Sequence, residues 1–380
     1  MKNIFLTGAT GYLGSYFLYH QLQHTNDHVI CLARNNLKYG AHERVMHALR
    51  VIHKSFAEAG IENKHFKENL LKNVEVIPGD ITQHGLGFAQ ILKAGDIDEC
   101  WHIAANVKFL ESMQNEIIVT NLEGGKNVLQ FAEKLRIPVF NYISTAYVAG
   151  KNNGIAKENI DFEKFPPNNV YEQSKRLMEL EIVKSHQKGN LNYRIFRPSV
   201  IVGHSITAVP DPSNGGFYGF LSILQSFKIA YENNYPEYFT NHPLKFHCNG
   251  NNTLNIVPVD YVTRMMHQIS VEKNSLNKIF HITSDVTNTL RDFAFYTNFY
   301  SGINILLVQS CNDFNQADLI FSRKINRYAG YLMNNLKFEK KSILLSGLKA
   351  EKCAASQEKI HALIQAFYKK QQHLQPTVKH

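Results

Sequence analysis

The 380-residue chain has one tryptophan and five cysteines, and the cysteines (Cys31, Cys100, Cys248, Cys311, Cys353) lie far apart with no CxxC pair. That scatter excludes a disulfide framework and a structural zinc site, and it predicts a reducing, cytoplasmic setting with no metal ligands. No window approaches eighteen consecutive apolar residues, which excludes a spanning helix. The opening MKNIFLTGATG has only a short apolar run ending in a glycine turn, too short for a secretory leader. Blocks of like charge are also missing; KFEKK at 337–341 is the nearest approach, although the formal net charge is +9. A diffuse basic balance suits a phosphate-bearing ligand or an acidic partner surface, and it argues against nucleic-acid readout.

What is present is a large core. Hydrophobic residues make up 44% of the chain, enough for one big domain or one with a smaller partner. The first 150 residues alternate strand-like and helix-like patterns. Strands are expected at 4–7, 28–34, 73–82, 98–107 and 139–150, the last strand-like throughout. Helices are expected after Gly14, over 41–59 and over 121–135. Apolar strands each followed by a helix make βαβ units and a parallel sheet covered on both faces. The expected fold is α/β: a Rossmann-type doubly wound parallel sheet with a smaller C-terminal substrate-binding lobe. Residues 1–204, with 255–284 contributing, are assigned to the cofactor domain. The turn-rich connector 205–216 leads into a lobe made of 205–254 and 285–380.

The first strand runs into TGATGYLG (7–14), a GxxGxxG. Gly8 lets the backbone turn sharply, Gly11 admits a pyrophosphate, and Gly14 lets the next helix pack on the sheet. Thr7, Thr10, Tyr12 and Leu13 fill the same turn, and the helix start turns free N–H groups toward the phosphates. The competing reading of the motif is a tight strand-to-helix turn with no ligand. Arg34 ends the second strand, where an acidic residue would hold a ribose 2′-hydroxyl; an arginine suits a 2′-phosphate, hence NADPH. Arg44 adds a second charge. Asp80 and Ile81 lie at the end of the third strand, with Asp80 placed to bond the adenine amine. Ala104 and Ala105 are small enough to let a cofactor approach the backbone.

The deciding constellation is Tyr171-Glu-Gln-Ser-Lys175, a YxxxK, with Thr145 upstream in ISTAY. Tyrosine and lysine four apart share a helix face. An ammonium beside the phenol is expected to lower its pKa from near 10, making Tyr171 a usable proton donor, while Thr145 bonds the substrate oxygen.

Together these residues resemble the extended short-chain dehydrogenase/reductases, and in detail the thioester reductase and fatty acyl-CoA reductase family with its male sterility-type NAD-binding domain. The matching stretches include TGATGYLG, CLAR (31–34), GDIT (79–82), WHIAANVKFL (101–110), TNLEGGKNVL (120–129), YEQSKRLME (171–179), RPSVIVG (197–203) and NIVPVDYV (255–262). The resemblance covers residues 1 to about 284 and fails over the last 95. It implies Thr145, Tyr171 and Lys175 as the catalytic triad. It further implies Gly8, Gly11, Gly14, Arg34, Arg44, Asp80, Ala104, Asn121, Tyr171, Lys175, Pro198, Ser199 and Val200 as NADPH contacts.

The implied activity is NADPH-dependent reduction of an acyl thioester, on CoA or a phosphopantetheinyl carrier protein, to the aldehyde or on to the alcohol. The alternatives are a ketone, aldehyde or hydroxysteroid reductase, a nucleotide-sugar epimerase or dehydratase, and a non-catalytic NADP sensor. No adenylation or carrier module precedes the glycine motif, so the chain is expected not to load its own acid. His204 stands where relatives often carry an acidic residue. Acyl chain, carrier and oligomeric state stay open. Three further features read as packing or surface. His20, His24 and His28 look like an exposed helix end, FAFYTNFY (293–300) like packing, and HALIQAFYKK (361–370) like a surface helix with a solvated face.

Overall fold

The computed structural model describes residues 1–61, 66–88, 92–108, 111–211, 215–349, 351–353 and 355–374. Phe109 and Leu110 of the WHIAANVKFL stretch and residues 212–214 of the connector lie outside the described residues. Seven parallel strands form the central sheet: β1 (Asn3–Thr7), β2 (His28–Ala33), β3 (Val74–Pro78), β4 (Glu99–His102), β5 (Val139–Ile143), β6 (Asn192–Pro198) and β7 (Lys278–Ile282). Their order is β7-β6-β5-β4-β1-β2-β3. The strand order reverses between β1 and β4, which pair in parallel with Thr7 opposite His102. In an open parallel sheet a ligand binds at the carboxyl ends of the strands beside such a switch point.

Both faces are covered because the strands are apolar on both. On one face α1 (Tyr12–His24), α2 (Ala41–Glu58) and a later helix bury Phe17, Val45, Leu49 and Met265 against Leu6, Trp101 and Phe280. On the other, α3 (Gly124–Lys134) and α4 (Val170–Gln187) bury Val128, Met178 and Ile182 against Phe5, Cys100 and Phe140. Trp101 is wedged between Phe17 and Phe196, at ring-centroid distances of 4.4 and 5.4 Å. The fully buried Arg197 on β6 forks onto Glu179 of α4, with Nε–Oε1 at 3.0 Å, which fixes that helix to the sheet.

The segment 139–150 departs from the expected continuous strand. It leaves the sheet at Ile143, and Ala146–Ala149 forms a 3₁₀ turn whose N-cap is Thr145, accepting from the Tyr147 N–H at 3.2 Å. The threonine hydroxyl competes for the backbone and ends the strand. His24 is exposed as expected, but His20 is half-buried against His24 and His267, and burial pushes its pKa down to about 3.

The remainder packs beside the sheet's carboxyl edge. Helix α5 (Gly216–Glu232) precedes α6 (Val259–Val271), the third helix on the first face of the sheet. Then come α7 (Leu290–Ser301), α8 (Gln316–Ile325) and α9 (Gln357–Leu374). Capping boxes start α7 (Thr289/Asp292) and α8 (Asn315/Asp318), each satisfying two orphan N–H groups. In α9, Ile360, Leu363, Ile364 and Phe367 are buried against Phe217 and Phe293, and Lys369 and Lys370 face solvent. Among the described residues no helix is long and apolar enough to cross a membrane.

Candidate active site

The glycine turn follows from sterics. Gly8 has φ +85°, and a Cβ there would lie 2.5 Å from the Ala104 nitrogen. A Cβ at Gly14 would lie 2.1 Å from the Gly8 carbonyl oxygen, so α1 can start this close to β1 only without a side chain. Gly11, exposed, is the N-cap of α1. That end has no side-chain cap hydrogen bond and no acidic residue in its first turn, so its N–H groups and dipole face the cleft. Below the turn, Thr7 Oγ1 bonds His102 Nδ1 at 2.8 Å and accepts weakly from Ala104 N at 3.4 Å, joining the two strands at the switch point. Tyr12 bridges to Val209 O at 2.9 Å.

Arg34 stands exposed at the end of β2 and holds Asp80 at 3.8 Å, while Arg44 donates to the Arg34 carbonyl. Both arginines line the cleft mouth. Asp80 is engaged by Arg34 and by the N–H and hydroxyl of Thr82, both at 2.9 Å. It is absent from the cavity wall, as is Asn121. The buried Asn121 sits in a π-helical turn (Val119–Glu123), where its amide accepts from Asn106 N at 2.7 Å and donates to Asn106 O and Ser174 Oγ. It ties the loop after β4 to α4, a structural bridge where the resemblance implied a cofactor contact.

Thr145, Tyr171 and Lys175 come together at the ends of β5 and α4. Asn169 caps α4, its side chain accepting from Glu172 N. One turn on, the buried Lys175 ammonium donates to the Ile143 carbonyl at 2.7 Å and lies 4.7 Å from the Tyr142 ring centroid and 6.0 Å from that of Tyr171. The electrostatics correct the expectation drawn from the spacing. Burial, and after it the Glu172 charge, pushes the Tyr171 phenol above its ordinary value. Burial also brings Lys175 down to about 7, which weakens its pull on the phenol. Tyr171 is therefore a protonated phenol at neutral pH, the form a proton donor needs.

These groups line one cavity of about 550 Å³. Its near end holds Thr7, Gly8, Thr10, Gly11, Tyr12, Leu13, Gly14, Arg34, Arg44, Ile81, Ala104 and Ala105; its middle holds Thr145, Tyr171, Lys175, Pro198, Ser199 and Val200. Its far end, which motif reading missed, is walled by Phe217, Phe220, Leu221, Phe246, Leu254, Leu290, Phe293, Ile305, Leu307 and Leu332. FAFYTNFY divides accordingly. Phe293, Ala294 and Thr297 line the cavity, while Phe295 and Phe299 are exposed, so the inner face of that run does more than pack. Two buried hydroxyls at the middle, Ser144 and Ser199, have no protein partner. A glycine cradle, an uncapped helix start, paired arginines and orphaned hydroxyls fit a dinucleotide.

Fold and site together define a dinucleotide-binding protein of the extended short-chain dehydrogenase/reductase type. Residues 6–266 match the NAD-binding family model described as male sterility protein, and the chain belongs to that family. It is 26% identical over 338 residues to a putative fatty acyl-CoA reductase of Drosophila melanogaster, covering 78% of this chain and 57% of that relative. The chain thus spans little more than half of that protein's length. Among solved structures it superposes on an archaeal thiolation-reductase di-domain from a non-ribosomal peptide synthetase (TM-score 0.73, 21% identity, 98% of this chain and 76% of that one). It also superposes on the terminal R domain of the myxalamid pathway (TM-score 0.71, 19% identity, 98% and 90%).

Proposed function

We propose that the chain is an NADPH-dependent reductase of acyl thioesters, carried on CoA or on a phosphopantetheinyl carrier protein. The observation that carries the reading is one continuous cavity, which leads from the glycine turn past Thr145 and Tyr171 into an apolar chamber. An apolar wall suits an acyl chain and suits a sugar nucleotide poorly. Arg34 and Arg44 support the phosphorylated cofactor, because two guanidinium groups at the β2 end match a 2′-phosphate. Residues 1–204 with 255–284 would form the cofactor unit, and 205–254 with 285–380 the acyl-binding lobe.

The glycine turn with Arg34 and Arg44 would hold a nicotinamide dinucleotide, which when bound would supply the hydride that the thioester carbonyl carbon accepts. Thr145 and Tyr171 donate hydrogen bonds to the carbonyl oxygen, where negative charge builds. Tyr171 delivers its proton to that oxygen, giving a hemithioacetal that collapses to aldehyde and free thiol. Lys175, fixed to Ile143 O, holds the ribose side of the site and returns positive charge to the phenolate as it forms. The relatives named above, a fatty acyl-CoA reductase and peptide-synthetase reductase domains, support this reading. Tyr171→Phe tests it: thioester-dependent NADPH oxidation should vanish while NADPH titration by fluorescence stays unchanged. Undiminished turnover sinks the mechanism.

A further inference from the structure

A second tyrosine stands in the cavity wall beside Tyr171, supplied from far along the chain. Tyr331 lies on the short helix Ala329–Leu332, and its ring lines the cavity with Tyr147 and Tyr171. Its hydroxyl accepts from Asn169 Nδ2 at 2.8 Å, across 162 residues of sequence, and donates to the Glu172 carboxylate. Asn169 is the N-cap of the helix that carries Tyr171. Glu172 is fully buried and also accepts from Asn168 N at 2.7 Å and Asn168 Nδ2 at 3.1 Å. Gly330 leaves room for this contact, since a Cβ there would lie 2.3 Å from Asn168 Oδ1. On its other side the Tyr331 ring meets Tyr147 edge-on at 4.9 Å, and the Tyr147 N–H donates to Thr145 Oγ1.

A fully buried carboxylate is costly to hold without strong partners, and the proton transfer proposed above does not use Glu172. Its bonds run to the backbone and side chain of Asn168, just ahead of the turn on which Tyr171 sits, and to the Tyr331 hydroxyl. Tyr331 therefore touches both hydroxyl-bearing elements, and it does so from the segment that walls the acyl chamber. We propose that Tyr331 is a positioning residue. Through Asn169 and Glu172 it holds the first turn of α4, and through Tyr147 the Thr145 turn, so that an acyl chain packed on its ring sets both hydroxyls against the carbonyl. The inference rests on the thioester reductase reading of the cavity.

Ring and hydroxyl have separable duties, and Tyr331→Phe separates them. With NADPH and octanoyl-CoA, the Y331F variant should lose roughly 10- to 100-fold in kcat, the scale of a small misplacement of reacting groups. KM should stay within about twofold because the ring remains, and NADPH affinity should be unchanged. Glu172→Gln should move the alkaline limb of the kcat profile to lower pH, since a carboxylate that opposes ionisation of Tyr171 is gone. An unchanged kcat in Y331F, or a rise in KM alone, overturns the proposal and leaves Tyr331 a wall residue. If Y331F fails to bind NADPH it is scored as misfolded, and the same kcat and KM split in E172Q decides. If the parent protein oxidises no NADPH with octanoyl-CoA, the thioester reading fails by itself. Positioning is then read from the ¹³C signal of the Tyr171 ring in the NADPH complex. That signal moves in Y331F if Tyr331 holds the turn, and it stays in place if it does not.

Discussion

Lys175 donates to the carbonyl of Ile143 across 2.7 Å, so the helix carrying Tyr171 is bonded to the last residue of the strand that delivers Thr145. That one bond links two elements which meet nowhere in sequence. It also fills one of the three donor positions of the ammonium, leaving the rest for ligand. Lys175→Met should lower kcat by about 10²- to 10⁴-fold, the range for a group that assists proton transfer. Steady-state kinetics at saturating NADPH check this, and a loss under threefold contradicts the role.

The same lysine makes stability pH-dependent. Its folded pKa is lowered to about 7 from 10.5 by burial, so between those values the unfolded chain holds a proton that the folded chain does not. Stability contributed by this group therefore rises with pH across about 7 to 10.5, and the penalty for the buried charge is full below pH 7. In the cofactor-free protein the difference in Tm between K175M and the parent should be largest at pH 6 and shrink toward pH 9. Thermal unfolding at several pH values measures it, and a difference independent of pH refutes the assignment.

Arg34 and Arg44 set the cofactor preference if a 2′-phosphate sits between them. Replacing both with alanine should weaken NADPH binding by about 10- to 100-fold, given roughly 1.5–3 kcal/mol for a hydrogen bond to a charged group. NADH affinity should change less than threefold. Parallel fluorescence titrations distinguish this from general damage, in which both cofactors would weaken together.

Gly14→Ala places a methyl group 2.1 Å from the Gly8 carbonyl oxygen and 2.7 Å from its carbon, backbone atoms of the turn itself. The turn must open, at a cost of about 1–3 kcal/mol, and the N–H groups at the start of α1 lose their aim. Urea unfolding and NADPH titration should both report the loss. Wild-type cofactor affinity in this variant would contradict the cradle.

Ala294 faces the chamber from α7 between Phe293 and Thr297, which also line it. Ala294→Phe should fill the far end, so that activity with long acyl-CoA substrates falls about tenfold or more while butyryl-CoA is spared. A uniform loss across chain lengths would place the acyl group elsewhere.

The sheet and its glycine turn were legible because their signals are local: short continuous apolar runs, a helix after each, and three glycines whose spacing matches one turn. Tyr171 and Lys175 were legible for the same reason, lying one helical turn apart. The strand expected through residue 150 was misjudged because apolar and aromatic residues continue past Ile143, although Thr145 caps a 3₁₀ turn there. The direction of the Tyr171 shift was misread because spacing reports a neighbouring charge and is silent on burial, which dominates here. Tyr331 and the chamber wall carried no local signal. Phe217, Phe246, Phe293 and Leu332 lie on separate elements that converge only in three dimensions.

Strand β7 pairs along β6, register Ile279 to Ile195, yet the whole of α5 and its flanking segments lies between them in sequence. Until Lys278–Ile282 has been synthesised, β6 presents an unpaired edge of backbone donors and acceptors. A nascent or truncated chain ending before residue 278 should therefore expose a ready template for strand addition by another molecule. Closing that edge needs a contact of long sequence separation, which slows folding. Expression at low temperature or with chaperones would favour soluble protein for this reason, and a C-terminal deletion should preserve β7 to avoid aggregation.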